Sequence, residues 1–168
     1  HDALLEANPQ LVIAELSAFG TTGPWGSRRG FDSIPQTATG IVDEETRAFG
    51  HPSPRPLPCQ FLDHGSGFLL SLGVLGALLR RHQTGGASLV EVSLLQTRNW
   101  LLSLGRPDHR EAAGLDRATL DRFSAVRPSA WGDVRHITHP GAIDGVNGRW
   151  DVGPAAPGEH PPQWPSAS

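Results

Sequence analysis

The sequence predicts an α/β fold followed by an extended, Pro/Gly-rich C-terminal tail, and three observations carry that prediction. Two short, largely apolar runs bounded by turn residues, "LVIAELSAF" at 11–19 and "LVEVSLL" at 89–95, have the pattern of buried strands. Between them lies a long apolar stretch that opens at Asp63 and closes at Arg80-Arg81, too long for a strand. From Trp131 onward the composition turns to Pro and Gly. Strand, helix and strand in that order suggest an α/β architecture.

Each element follows from local signals. "HDALLEANPQ" reads as the end of a helix, with Asn8-Pro9 as its stop. The first strand follows, and "GTTGPWGSRRG" after it is a loop punctuated by Gly20, Gly23, Gly26 and Gly30. "FDSIPQTATGIV" is a short helix weakened by Pro35. Residues 43–61 are predicted as an extended crossing segment because of Pro52, Pro54, Pro56 and Pro58. Asp63 then opens the long helix, "QTGGAS" is a turn, and the second strand puts Val90 and Val92 on one face. "LQTRNWLLSLG" is a helix flowing out of that strand. After Gly105 the chain becomes charged, with one amphipathic segment in which Leu115, Leu120 and Phe123 share a face. The predicted organisation is an α/β domain over 1–104, a shortened linker or small-domain remnant over 105–133, and a tail over 134–168. That tail is expected to lie across another surface rather than build its own core.

Composition narrows the function. A length of 168 residues with 38% apolar content supports about one domain. The chain has 14 Arg but no Lys, and no Met, so His1 is not expected to be a translation start and the chain reads as a fragment or processed piece. A net charge of −3 leaves no basic footprint for nucleic acid. The single Cys59 excludes an internal disulfide framework and fits a reducing compartment, and no secretory signal is visible, so a cytoplasmic location is expected. The uncharged run at 65–79 is 15 residues long. A bilayer span takes about 20, so a helix buried in a soluble protein is predicted and no membrane partner.

Asp63 is the residue of greatest chemical interest. As Asp at the start of a helix it reads as an N-cap, favoured by the dipole. Gly65 and Gly67 leave the first turn free of bulky side chains, so a ligand could approach, and free N–H groups there could stabilise an oxyanion. His64 points about 100° away from Asp63 and reads as a bystander. No HExxH or paired CxxC pattern supports a metal, and none is predicted. Ser17 and Ser93 lack a GxSxG context, Cys59 reads as a packing residue, and the glycine loop holds no GxGxxG or GxxxxGK[ST] element.

Three blocks taken together resemble the family III CoA-transferases (the CaiB/BaiF family). They are "NPQLVIAELSAFGTTGPWGSRRGFDSIPQTATGI", "LDHGSGFLLSLGVLGALLRRHQTGGASLVEVSLLQ" and "HPGAIDGVNGRWDVGPAAPGEH", in the family's order. The resemblance covers residues 1 to about 104 and about 134 to 160. It implies a partial Rossmann-like large domain that binds CoA over 1–104. Asp63 falls on the family's catalytic aspartate. Ser17, Ala18, Phe19 and Gly20 fall on the strand end and loop lining the CoA site, and Gly158-Glu159-His160 on the closing motif. The implied activity moves CoA from an acyl-CoA donor to a carboxylic acid through an aspartyl anhydride and an aspartyl-CoA thioester. Coenzyme A is then a substrate and no cofactor is needed. A homodimer is implied, with Trp131, Trp150 and Trp164 expected to bury against the partner. The family's N-terminal half and most of its smaller domain are absent from this sequence, so weak CoA binding by the chain alone is expected. The related racemases carry His before the Asp of a "GHD" stretch; this chain has Phe31 before Asp32, which argues against racemisation. A racemase-type enzyme and a truncated, non-catalytic subunit remain the alternatives.

Overall fold

The two apolar runs form strands β1 (Val12–Ser17) and β2 (Ser88–Ser93). They pair in parallel, from Val12 opposite Ser88 to Ser17 opposite Ser93. The computed structural model describes residues 1–106 and 114–163. These fall into two units, His1–Arg110 and Glu111–Ser168. Parallel strands need a crossover, and in the first unit three helices supply it: α2 (Ser33–Ala38), α3 (Ile41–Ala48) and α4 (Phe61–Thr84). A short helix α1 (Asp2–Ala7) precedes β1 as predicted, and α5 (Leu94–Ser103) runs straight out of β2, capped by Ser93 Oγ accepting from Gln96 N–H. Pro35 sits in the first turn of α2, where a missing N–H costs no helical bond.

The predicted extended segment at 43–61 is corrected at its start, because α3 continues to Ala48. Its first proline comes only at Pro52. Asp43 and Glu44 in its first turn and Arg47 in its last complement the helix dipole, and Arg47 pairs with Asp43 at 2.9 Å.

Helix α4 has 24 residues and is not the buried helix predicted. Only Leu62, Ser66 and Ala77 are buried, whereas Phe68, Leu72, Leu75 and Leu79 are exposed. By length and composition it is apolar enough to cross a membrane, so the predicted exclusion on length does not hold. The narrow buried stripe has a physical cause. A Cβ on Gly73 would stand 2.5 Å from Val90 Cγ1, and one on Gly65 3.2 Å from Thr97 Cγ2. Small residues let α4 press its backbone onto β2 and α5, and the contact is close but thin. Ser66 Oγ and Thr97 Oγ1 share a buried hydrogen bond of 2.6 Å within it. At the far end, Arg81 Nη1 donates to Gln10 O at 3.1 Å and Arg80 to Ser88 Oγ, tying α4 to the starts of both strands. Ile41, Leu62 and Leu94 form the apolar core, flanked by Leu57 and Phe61.

In the second unit, α6 (Arg117–Arg122) is capped by Asp116, whose Oδ1 accepts from Thr119 N–H at 2.7 Å. An antiparallel hairpin of β3 (Ser124–Ser129) and β4 (Gly132–Ile137) follows, then a minimal one of β5 (Ala142–Ile143) and β6 (Val146–Asn147). The predicted boundary at 133/134 therefore falls inside the β3–β4 hairpin. Leu115, Leu120 and Phe123 are exposed, as are Trp131 and Trp150. Trp164 lies outside the described residues.

Candidate functional site

The site begins with a glycine that lets a loop return to the sheet. A Cβ on Gly30 would meet Ala18 Cβ at 3.1 Å, Pro35 Cδ at 3.2 Å and Phe19 Cε2 at 3.3 Å, so the chain entering α2 lies directly on the end of β1. That approach buries Asp32, only 1% exposed, and Gln36 beside it. Asp32 Oδ1 accepts from Gln36 Nε2, and Gln36 Oε1 accepts from Leu57 N–H at 2.7 Å. Asp32 Oδ2 accepts from Leu62 N–H at 2.7 Å and from Asp63 N–H at 3.1 Å. One buried carboxylate thus caps the start of α4, while its amide neighbour holds the end of the proline segment.

This corrects the predicted role of Asp63. It is the third residue of α4, not its N-cap; the N-cap position belongs to Gln60, which makes no side-chain cap bond. Two of the first-turn N–H groups expected to be free for an oxyanion are taken by Asp32. Gly65 faces Thr97 across the α4–α5 seam rather than a ligand, while a Cβ on Gly67 would meet nothing within 4 Å. The approach to the helix is strained: Cys59 (φ 53, ψ 34) and Gln60 (φ 50, ψ 54) are both left-handed without being glycine. Cys59 is exposed, not the packing residue predicted.

Asp63 is itself half-buried. Desolvation raises its carboxyl above the ordinary value, the negative charge of Asp32 adds to this, and His64 pulls it partly back. His64 turns to the other flank of α4, where Phe61, Phe68, Leu72 and Trp100 line an apolar cavity of about 280 Å³.

Ser17, Ala18, Phe19 and Gly20 sit at the C-terminal end of β1, in the same unit. Ser17 Oγ accepts from Gly20 N–H at 3.0 Å, and Ala18 O accepts from Leu95 N–H at 3.1 Å. The side chains of Ala18 and Phe19 are buried in the core, which leaves Ser17 and Gly20 as the members of the set with accessible surface. Phe19 meets the Trp25 ring edge-on with centroids 5.0 Å apart, and the Arg28 guanidinium lies 4.8 Å over the Trp25 ring. The contact with Phe19 anchors a glycine loop that is otherwise largely exposed, Arg28 and Arg29 included. The ends of parallel strands are where ligands bind in open α/β sheets. Among the described residues no three His, Cys, Asp or Glu side chains gather as a metal site. Asp32 and Gln36 are the residues that sequence reasoning missed; their i, i+4 spacing was the available signal.

The fold and site define a class: an α/β layer that presents one tuned aspartate in the first turn of a helix packed on parallel strands. The model of the family described as CoA-transferase family III matches residues 1–122, and the chain belongs to that family. It is 35% identical over 111 residues to "Probable fatty acyl-CoA transferase Rv3272" of Mycobacterium tuberculosis, covering 62% of this chain and 28% of that protein. It is 28% identical over 123 residues to the formyl-CoA:oxalate CoA-transferase of Rhodopseudomonas palustris, covering 73% of this chain and 28% of that one. Among solved structures, a CAIB/BAIF family protein from Brucella suis matches with a TM-score of 0.50 and 28% identity, over 64% of this chain and 30% of its own. The chain thus spans less than a third of the length of these relatives.

Proposed function

We propose that the protein transfers CoA from an acyl-CoA to a carboxylic acid, with Asp63 as the nucleophile. The Asp63 carboxylate attacks the thioester carbonyl, the CoA thiolate leaves, and an acyl–aspartyl anhydride forms. The thiolate then attacks the aspartyl carbonyl and the donor acid departs, leaving an aspartyl-CoA thioester from which the acceptor acid is loaded. Covalent relay of this kind divides one difficult exchange into easier steps.

The observation that carries the reading is the raised carboxyl of Asp63 beside the buried charge of Asp32. Burial and Asp32 both disfavour negative charge on Asp63, and acylation removes that charge. The same two factors that lift its pKa therefore favour the covalent intermediates. Ser17 and Gly20 are proposed to contact CoA from the strand end, with Ala18 and Phe19 supporting them from the core. In the racemase-type alternative Asp63 would move a proton instead, and an α-proton exchange assay separates the two readings.

Hydroxylamine trapping and mass spectrometry after incubation with an acyl-CoA test the proposal. An adduct on Asp63, lost in Asp63→Asn, is expected; α-proton exchange without an adduct would replace transfer by racemisation. We also propose a homodimer in a reducing cytoplasm. The exposed apolar side of α4 and the unpaired, exposed Cys59 support it. A monodisperse monomer by light scattering at micromolar concentration would refute the dimer.

A further inference from the structure

We propose that Gln36 is a positioning residue for Asp63: its amide, together with Asp32, clamps the chain on both sides of the left-handed turn at Cys59 and Gln60. The functional side of this rests on the reading of Asp63 as the nucleophile. It adds to that reading a residue that touches no substrate and sets where the nucleophile stands.

Gln36 is 1% exposed and lies one helical turn after Asp32, the N-cap of α2, so the two side chains leave the same face. Each takes one side of the turn. Before it, Gln36 Oε1 accepts from Leu57 N–H at 2.7 Å. Pro58 follows and has no N–H, so Leu57 holds the last backbone donor ahead of the left-handed pair. After it, Asp32 Oδ2 accepts from the N–H groups of Leu62 and Asp63. A single side-chain bond, from Gln36 Nε2 to Asp32 Oδ1, joins the two sides. Farther upstream, Thr46 Oγ1 on α3 accepts from Arg55 N–H at 2.9 Å. The segment between α3 and α4 is thus held by side chains rather than by a partner strand.

The chemistry of the clamp singles out glutamine. Leu57 N–H needs an acceptor and the Asp32 carboxylate needs a donor, and the Gln amide carries one of each. A carboxylate at that position would face Asp32 with like charge, and an apolar side chain would leave Leu57 N–H unpaired. The turn itself needs such a clamp. Left-handed backbone at two successive non-glycine residues is costly and persists where its surroundings over-determine it. Once either side is released, Cys59 and Gln60 can return toward the right-handed region, and the first turn of α4 then presents Asp63 in a different direction.

The charged groups on the elements packed against α2 are few. Asp63 and His64 lie on α4. On α5, Arg98 Nη2 donates to Thr39 O at the end of α2 at 2.9 Å. On α3, Asp43 pairs with Arg47, and Glu44 and Glu45 pair with Arg106.

The test uses the 168-residue chain, with hydrogen exchange at the Leu62 and Asp63 amides and hydroxylamine trapping at Asp63 after incubation with an acyl-CoA. In Gln36→Glu the new carboxyl and Asp32 share one proton at low pH, which reproduces the wild-type bonds. As that proton is lost the like charges separate and the clamp opens. Exchange at both amides, corrected for its intrinsic pH dependence, should match wild type near pH 5 and run at least about tenfold faster near pH 8. Trapping should fall over the same range. A residue that only supported the fold would shift the amides of the whole unit together, at every pH. Leu57→Pro cuts the other bond in a backbone whose φ of −58° already suits proline. It should speed exchange at Asp63, across the turn, at least about tenfold, whereas Leu57→Ala, which keeps the N–H, should not. A Gln36→Glu variant without this pH dependence, or an Asp63 amide unchanged in Leu57→Pro, would overturn the proposal. Should Gln36→Glu fail to fold, Leu57→Pro against Leu57→Ala decides. Should the wild type trap no adduct, the nucleophile reading fails, and the exchange rates still judge the clamp.

Discussion

Replacing Asp32 by Asn separates the two tasks that the first unit assigns to carboxylates. Asp32 accepts three hydrogen bonds, from Leu62 N–H at 2.7 Å, Asp63 N–H at 3.1 Å and the Gln36 amide. Asn offers one oxygen and one NH₂ in the same space. With its oxygen toward α4, the NH₂ faces the Gln36 NH₂, donor against donor. Flipping Gln36 relieves that clash but turns its NH₂ onto Leu57 N–H, which now donates to Oε1 at 2.7 Å. Every arrangement leaves a buried donor unpaired. Losing one bond to a charged acceptor costs about 2 kcal/mol, and weakening the other two about 1 kcal/mol together. Relief of repulsion with Asp63 offsets part of this. The net loss is about 2–3 kcal/mol, or roughly 10 °C in Tm for a unit of this size. Urea denaturation followed by circular dichroism reads the total, and hydrogen exchange at the Leu62 and Asp63 amides reads the cap itself. A carboxyl NMR titration should also find Asp63 moved down toward the ordinary value. Stability within about 0.5 kcal/mol of wild type, with both amides still protected, would refute the capping argument.

Asp63→Asn should abolish transfer yet fold at least as well as wild type. The folded pKa of Asp63 is raised, so its contribution is fully present below the unfolded value and is lost as pH rises through the folded one. The variant's advantage in thermal melts should accordingly be larger at pH 7 than at pH 4, and a reversed trend would contradict the assignment. Gly73→Ala places a methyl 2.5 Å from Val90 Cγ1 and should cost about 1–3 kcal/mol, whereas Gly76→Ala meets nothing within 4 Å and should gain about 0.5–1 kcal/mol. Paired denaturation curves check the contrast. Gln60→Gly should stabilise by about 1 kcal/mol, because φ 50 is strained for Gln and free for Gly; an unchanged or lower midpoint would mean that the left-handed turn carries no strain.

The strands were legible because both are short, apolar and bounded by turn residues, and β2 keeps Val90 and Val92 on one side. The long helix was legible too, but not which side of it would be covered. Beyond Leu62, its packing stripe consists of Gly65, Ser66, Gly73 and Ala77, residues that a hydrophobic pattern does not mark, while Phe68, Leu72, Leu75 and Leu79 face outward. Helix α3 was hidden by the prolines that follow it, since a rule about proline says where a helix cannot be and not where it stops. The β3–β4 hairpin was missed for a different reason. Apolar alternation predicts Val126 and Ile137 inward, and the structure partly buries Arg127 and His136 instead. Pattern reasoning identifies the buried face only when that face is apolar.

The same limit explains Asp63 and Asp32. An Asp at the head of an apolar run reads as a cap by local rules, and those rules are right that α4 is capped by a carboxylate. The carboxylate comes from Asp32, about thirty residues earlier, because the left-handed backbone at Cys59 and Gln60 denies the helix a local cap. The spacing of Asp32 and Gln36 puts them one helical turn apart. It does not say that they point inward, since polar side chains are mostly exposed. Once Asp32 supplies the cap from within, Asp63 is relieved of that duty, and its carboxyl is raised by its own desolvation and then by the negative charge of Asp32, with His64 opposing. The electrostatics of one aspartate thus depend in part on the burial of the other, a division of labour set by tertiary contact and invisible to any local reading of either residue.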